Sequence, residues 1–308
     1  MNNIEEIPEF MCRPEDKNLC TYSDTDSIYL HAYPLLKHLN PEFDNLTPDE
    51  QDDLLENMAL KYQDLITEYY DILAREAFNV NTHRLEMKTE CTIRSGFFSG
   101  KRRYAQYITK KEGMNVEDID VKGLDFMKSN FPPLFKKFFN EILNDILFGA
   151  TREATDKKIL EFKNSLDTLP IEMLAKPTGV KNMKQYIASG PTADAIFSTF
   201  ENKAPVNVKA AARYNDLLRF KKLHKKHSQI VTGDKIKWVY LKDNPYKIDT
   251  IGFLPFDLPE GVSKFIEKYV DREKAFNSIL KNKLEKFYQD LGWGSLTLNT
   301  YVSDFFSF

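Results

Sequence analysis

The sequence has almost no cysteine: three in 308 residues, at positions 12, 20 and 91. An odd, scattered set excludes a disulfide framework, and the spacing of Cys12 and Cys20 is not that of zinc ligands. Free thiols fit a reducing, intracellular compartment. Long apolar runs are missing as well. No stretch approaches the roughly 18 apolar residues of a membrane span, and the first residues hold no apolar core of a signal peptide. A cytoplasmic protein with no membrane partner is expected. There is no internal repeat and no low-complexity linker. Aromatic residues are what the chain has in quantity, with 23 Phe and 15 Tyr. They can fill a sizeable core, and the length suits two domains.

The formal net charge of −3 hides a strong asymmetry. Residues 1–58 hold 14 acidic and 3 basic side chains, residues 88–111 hold 1 and 7, and residues 203–247 hold 3 and 12. Acids can hold cations and bases can grip phosphate, so an acidic segment followed by two basic ones suits the processing of a polyanion.

Periodicity sets the expected elements. Residues 19–33 read as strand, turn, strand. In "NLTPDEQDDLLENMALKYQDLITEYYDILAREAFN", Thr47 suits an N-cap, Pro48 the first helical position and Glu50 a capping box, and apolar residues from Leu54 to Leu73 recur at helical spacing. Residues 84–93 and 103–109 read as strands joined by a Gly-containing connection, "SGFFSGKRR". From Ser129 the character changes. "SNFPPLFKKFFNEILNDILFG" predicts a helix, and further helices are expected near 156–168, 192–201, 207–224 and 261–290, with "KIKWVYLKD" and "TIGFLPF" as a small sheet. The fold class is therefore α+β: an antiparallel sheet with a packed helix over 1–128, a mostly helical domain with a small sheet over 129–298, and a separate tail over 299–308.

"TYSDTDSIYL" sets Asp24 and Asp26 two residues apart between β-formers. Asp is depleted in strands and favoured in turns, so the pair marks a hairpin turn or a pair of metal ligands held at one. Four stretches decide in favour of the second. "YSDTDS" (22–27) resembles the YxDTDS motif, motif C, of family B DNA polymerases. "GKRRYA" (100–105) is similar to the family's KKRYA element. "NTHRLEMKTECTIRSGFFSG" runs between them as the family does, and "DVKGLDFMKSNFPP" resembles the strand that closes the palm before the thumb. Beyond these, "GDKIKWVYLKDNPYKIDTIGF" and a Phe-rich acidic C-terminus resemble the polymerases of large tailed bacteriophages.

The resemblance implies template-directed DNA synthesis, in which a primer hydroxyl attacks a nucleotide α-phosphorus with two Mg²⁺ ions held by carboxylates. It implies Asp26 as a metal ligand bridging both ions, Asp24 as a metal-site carboxylate nearer the periphery, and Glu90 as an accessory carboxylate. It implies that Lys101 and Arg102, with Arg103 and Tyr104 beside them, face the primer–template minor groove. The acceptors there occupy equivalent places in every correct pair. In the thumb, Lys209, Arg213, Lys221 and Lys222, with Arg219, Lys225 and Lys226, form a sequence-independent grip on duplex phosphates. His224 and His227 belong to that basic surface rather than to a metal site. Asp304, Phe305, Phe306 and Phe308 look like a tail that docks on a sliding clamp.

Two family elements are missing from these residues: motif A (DxxSLYPS) and motif B (KxxxNSxYG), which supply the second metal-binding Asp and the lysine that grips the triphosphate. The expectation is the C-terminal subunit of a split polymerase, active with an N-terminal polypeptide that carries both. Its partners would be primer–template DNA, deoxynucleoside triphosphates and a clamp. The alternatives are a non-catalytic DNA-binding or processivity module and a degenerate remnant.

Overall fold

The computed structural model describes residues 20–24, 27–124, 126 and 131–297. They fall into two compact units, Met1–Gly123 and Leu124–Phe308, divided ahead of the boundary expected at 128. Among the described residues no helix is long and apolar enough to cross a membrane.

Among the described residues, the first unit opens with an antiparallel hairpin of β1 (Cys20–Asp24) and β2 (Ser27–Leu30). Helix α1 (Tyr33–Leu39) and a 3-10 turn at Phe43–Asn45 lead into α2 (Pro48–Phe78). The start of α2 is fixed by its caps. The Thr47 hydroxyl accepts from the Glu50 amide, and the Glu50 carboxylate accepts from the Thr47 amide at 2.8 Å. Asn79, in the left-handed conformation, ends the helix. Leu35, Leu36, Phe43 and Met58 form a small apolar core between α1 and the first turns of α2.

The sheet is a meander of β3 (Cys91–Gly100), β4 (Arg103–Lys111) and β5 (Met114–Lys122). Here the structure differs from expectation. Residues 84–90 are not strand, and the supposed connection "SGFFSG" is strand as far as Gly100. The chain turns later, at Lys101–Arg102, because Phe97 and Phe98 are alternating side chains of a pleated strand, with Phe97 buried. The next turn, Glu112–Gly113, has positive φ at both residues (48° and 79°), as a tight type I′ hairpin requires. Ion pairs tie α2 to the sheet: Asp52 accepts from Arg94, and Lys110 donates to Asp53 and, at 2.8 Å, to Glu56. Hydrogen bonds to Asp53 and then to Glu56 hold the Lys110 pKa above the ordinary lysine range.

The second unit contains α3 (Pro133–Leu147), α4 (Arg152–Ser165), α5 (Ile171–Leu174), α6 (Val206–Phe220), α7 (Glu260–Tyr269), α8 (Arg272–Phe276) and α9 (Asn282–Asp290). A three-stranded sheet is ordered β10–β9–β6, where β6 is Lys176–Gly179, β9 is Lys235–Tyr240 and β10 is Thr250–Phe253. A small ribbon pairs β7 (Ile187–Ser189) with β8 (Thr199–Phe200). Helix α6 lies close on the sheet, since a Cβ at Gly252 would come within 3.2 Å of the Ala210 backbone.

Two expected helices are corrected. Residues 192–198 are irregular and lead into β8, held by a turn in which Thr192 accepts from the Ala195 amide and by Asp216, which accepts from the Ser198 amide at 2.8 Å. The single helix expected over 261–290 is broken. Val270 leaves helical geometry to bridge Leu241, Asp271 caps a new helix, and a wide π-helical turn at Asn277–Lys281 separates α8 from α9.

Candidate active site

The register of the first hairpin decides which side chains share a face. Tyr22 pairs with Tyr29 and Asp24 with Ser27, so Tyr22, Asp24, Ser27 and Tyr29 lie on the half-buried face while Ser23 and Ile28 alternate with them. In the meander, Phe98 pairs with Tyr104. The two cross-strand pairs pack on each other. Ring centroids are 5.6 Å apart for Tyr22–Phe98, 5.4 Å for Tyr29–Phe98, 5.8 Å for Tyr22–Tyr104 and 5.7 Å for Tyr29–Tyr104. Each such aromatic pair contributes about 0.5–1.5 kcal/mol beyond its area burial.

This packing delivers the carboxylate hairpin to the basic turn. Arg102 donates its backbone amide to the Tyr22 hydroxyl at 2.9 Å and its Nε to Asp24 Oδ2 at 2.7 Å. The Arg102 side chain is 70% exposed and that of Asp24 is 22% exposed, so the guanidinium is held at one edge while the rest faces water. Hydrogen bonding to Asp24 raises the Arg102 pKa further. Tyr29 donates to the Tyr104 hydroxyl at 3.3 Å. Burial pushes the Tyr29 phenol above its ordinary range, helped by that hydrogen bond and, more weakly, by the charges of Tyr104, Cys91 and Glu90. Glu90 is exposed, and its carbonyl accepts from the Glu112 amide at 3.0 Å. Lys101 and Arg103 are exposed on either side of Arg102. Asp26 lies outside the described residues.

Tyr29, Phe98 and Gly123 escaped the sequence reading. Tyr29 completes the aromatic platform, and its signal was its place across the turn from Tyr22. Gly123 has φ +64°, and a Cβ there would collide with the Arg102 carbonyl oxygen. The glycine of "KGL" therefore lets the end of β5 lie against the basic turn.

In the second unit, Lys221, Lys222, Lys225 and Lys226 are exposed at and beyond the end of α6, and Lys209 is half-buried. Arg213 is different. Its guanidinium pairs with Asp249, donates to Thr250 Oγ1 at 2.6 Å and is only 15% exposed, so it is engaged in the fold. His227 is hydrogen-bonded to Asp257 at 2.6 Å, and His224 Nδ1 is buried without a partner among the described residues. The Ser228 amide and then His227 hold the Asp257 carboxyl below its usual range. Among the described residues, no three His, Cys, Asp or Glu side chains converge on a metal-sized point. The tail residues Asp304, Phe305, Phe306 and Phe308 lie outside the described residues.

The Asp24 hairpin is thus docked on the basic turn at Arg102, in an α+β unit followed by a largely helical one. The family model of DNA polymerase family B matches residues 53–290, and the chain belongs to that family. The match starts beyond the Asp24 hairpin. A comparison with curated proteins finds no match. Membership gives the class of function: nucleotidyl transfer of the DNA polymerase type, on DNA and deoxynucleoside triphosphates, with divalent metal ions.

Proposed function

We propose that this chain supplies motif C, the minor-groove-reading turn and the thumb of a split family B DNA polymerase. The motif A carboxylate and the motif B lysine come from residues outside these 308. The observation that carries the reading is the Asp24–Arg102 ion pair, which joins two motifs 78 positions apart that resemble two parts of one polymerase site.

Asp26 is a hard oxygen donor of the kind Mg²⁺ takes and would hold the ions together with a carboxylate from motif A, with Asp24 nearer the periphery of the metal site. Bound Mg²⁺ supplies activation of the primer hydroxyl and charge neutralisation at the phosphates. The chain's own residues do the positioning. Asp24 orients Arg102. Arg102 and Lys101 offer donors to base-pair acceptors in the minor groove, and Tyr104 helps to fix their strand. Lys209, Lys221 and Lys222 contact duplex phosphates, with Arg213 bracing the helix that carries Lys209 and ends at Lys221. Asp304, Phe305, Phe306 and Phe308 would tether the enzyme to a sliding clamp and raise processivity through effective concentration.

The test is primer extension by the full chain, alone and with a polypeptide carrying motifs A and B. Extension is expected only from the pair. In the pair, Asp26→Ala is expected to leave less than about a tenth of the rate, a loss above roughly 1.4 kcal/mol of transition-state stabilisation, with duplex binding retained. Extension by the chain alone would refute the split, and an active Asp26→Ala pair would refute the metal assignment. DNA binding with no extension in any combination would favour the non-catalytic module.

A further inference from the structure

Phe256 is the most exposed large apolar side chain among the described residues, with 80% of it open to water. Its backbone is nevertheless firmly held. It follows Pro255 in a turn that the Asp257 amide closes by donating to the Leu254 carbonyl at 3.2 Å, and Pro255 fills the turn position that its fixed φ suits. Leu254 is buried. The hydroxyl of Tyr214, itself fully buried, donates to the Asp257 carbonyl at 2.9 Å. The Asp257 carboxylate engages the loop that follows α6 with both oxygens. Oδ1 lies 2.6 Å from His227 Nδ1, and Oδ2 accepts from the Ser228 amide at 2.6 Å. The Phe256 ring therefore stands out from a turn that is fixed on both sides and tied to this loop.

The same loop carries Lys221, Lys222, Lys225 and Lys226, all exposed. Among the described residues none of the four lies within ion-pair distance of a carboxylate, and Lys221 lies 6.0 Å from the centroid of the Tyr246 ring. Asp257, the acid tied to the loop, has both oxygens occupied by His227 and Ser228. Lys222 has φ +58°. It stands just past α6, where the Leu223 amide donates back to the Leu218 carbonyl at 2.8 Å, a helix end that favours glycine. A lysine at that position adds a charge and accepts backbone strain.

A run of unpaired ammonium groups attracts a polyanion, but phosphates alone give an exposed ring nothing to do. Bases inside a duplex hide their faces in the stack, so a fixed ring gains from nucleic acid where a base is unpaired and can lie on it. Family membership makes that nucleic acid DNA. We infer that Phe256 and the loop of Lys221 to Lys226 hold an unpaired DNA strand, with a base stacked on the Phe256 ring and the adjoining phosphates on Lys225 and Lys226. This extends the proposed thumb surface and rests on that reading for Lys221 and Lys222.

The test compares three ligands of the full chain at one salt concentration: a mixed-sequence single strand, an abasic strand of the same length, and a covalently closed circular duplex with no unpaired bases. Phe256→Leu keeps an apolar side chain but has no ring face. It should weaken binding of the mixed-sequence strand by about fivefold or more and leave the other two ligands within about twofold of the natural chain. Phe256→Trp should retain the affinity for the mixed-sequence strand. Since the ring is exposed, both variants should keep the urea midpoint of the natural chain. Lys225→Gln with Lys226→Gln should flatten the salt dependence of single-strand binding by about two counterions. Undiminished binding of the mixed-sequence strand by Phe256→Leu overturns the inference and leaves the ring to a protein partner. An equal loss on the abasic strand overturns it as well, because no base is then involved, and so does an unchanged salt slope in the double variant. Failure of the natural chain to bind the circular duplex would refute the thumb reading instead, whatever the single strand does.

Discussion

Arg102 donates its Nε, not an end nitrogen, to Asp24 Oδ2 at 2.7 Å, across 78 residues of chain. A guanidinium held through Nε keeps its outer nitrogens for a second partner, and 70% of this side chain is open to water. On the proposed reading Asp24 is a positioning residue that acts through Arg102. In the reconstituted polymerase, Asp24→Asn and Arg102→Ala should each impair extension from a mispaired primer end more than they weaken duplex binding. The double variant should fall within about twofold of the worse single one, because residues acting as one unit are not additive. Multiplying losses in the double variant would instead mark Asp24 as an independent metal ligand.

Gly123 supplies a second lever on the same turn. A methyl group there meets the Arg102 carbonyl and comes within 3.4 Å of Arg103 Cγ, at a φ of +64° that already disfavours a side chain. Gly123→Ala should cost about 1–3 kcal/mol in denaturant unfolding and should slow extension, since the turn must move to clear the new methyl. Gly113→Ala is the matched control: its φ is +79°, but the nearest atom to its Cβ is a Glu56 carboxylate oxygen at 3.9 Å. It carries the backbone strain without the collision, so it should lower stability and spare the extension rate. Equal effects of the two substitutions on extension would remove Gly123 from the site.

The sequence was most legible where local chemistry and tertiary packing agree. The capping box of Thr47 and Glu50 marked the start of α2 because caps act within four residues. The pairing of β1 with β2 was legible because β-formers stand on both sides of the Asp pair. The reading failed where distant partners decide. "SGFFSG" looked like a loop from its glycines, yet it is strand because β4 pairs along it. The helix expected over 261–290 has an unbroken periodic pattern, but the bridge from Val270 to Leu241 interrupts it. Among site residues, the types and order of Asp24 and Arg102 were legible and their ion pair was not, because which donors and acceptors meet across 78 positions is set by the aromatic platform beneath them. Arg213 was read as a surface cation for the same reason. Its partners, Asp249 and Thr250, arrive on β10 and its approach.

Lys176, on β6 beside the Trp238 and Tyr240 rings, offers a pH test that needs no ligand. Burial, followed by the charge of Lys283, brings its pKa to about 8 in the folded chain against an ordinary 10.5. Between those values the unfolded chain holds the proton and the folded chain does not, so unfolding takes up a proton and stability rises with pH across that window. Below pH 8 the buried ammonium is a full penalty on the fold; above 10.5 it is absent. Lys176→Met keeps the length and apolar contacts of the side chain but has nothing to titrate. The urea midpoint of the natural chain should therefore fall furthest short of the variant's near pH 7, and the gap should close from pH 8 upward. Taking the difference between the two proteins at each pH cancels every other titrating group. Loss of the hydrogen bond that Lys176 donates to Ser278 Oγ offsets the comparison by a constant, so the slope of the difference carries the result and its absolute value does not. A difference independent of pH from 7 to above 10 would mean that Lys176 has an ordinary pKa. A difference that widens with pH would mean that the ammonium stabilises the fold.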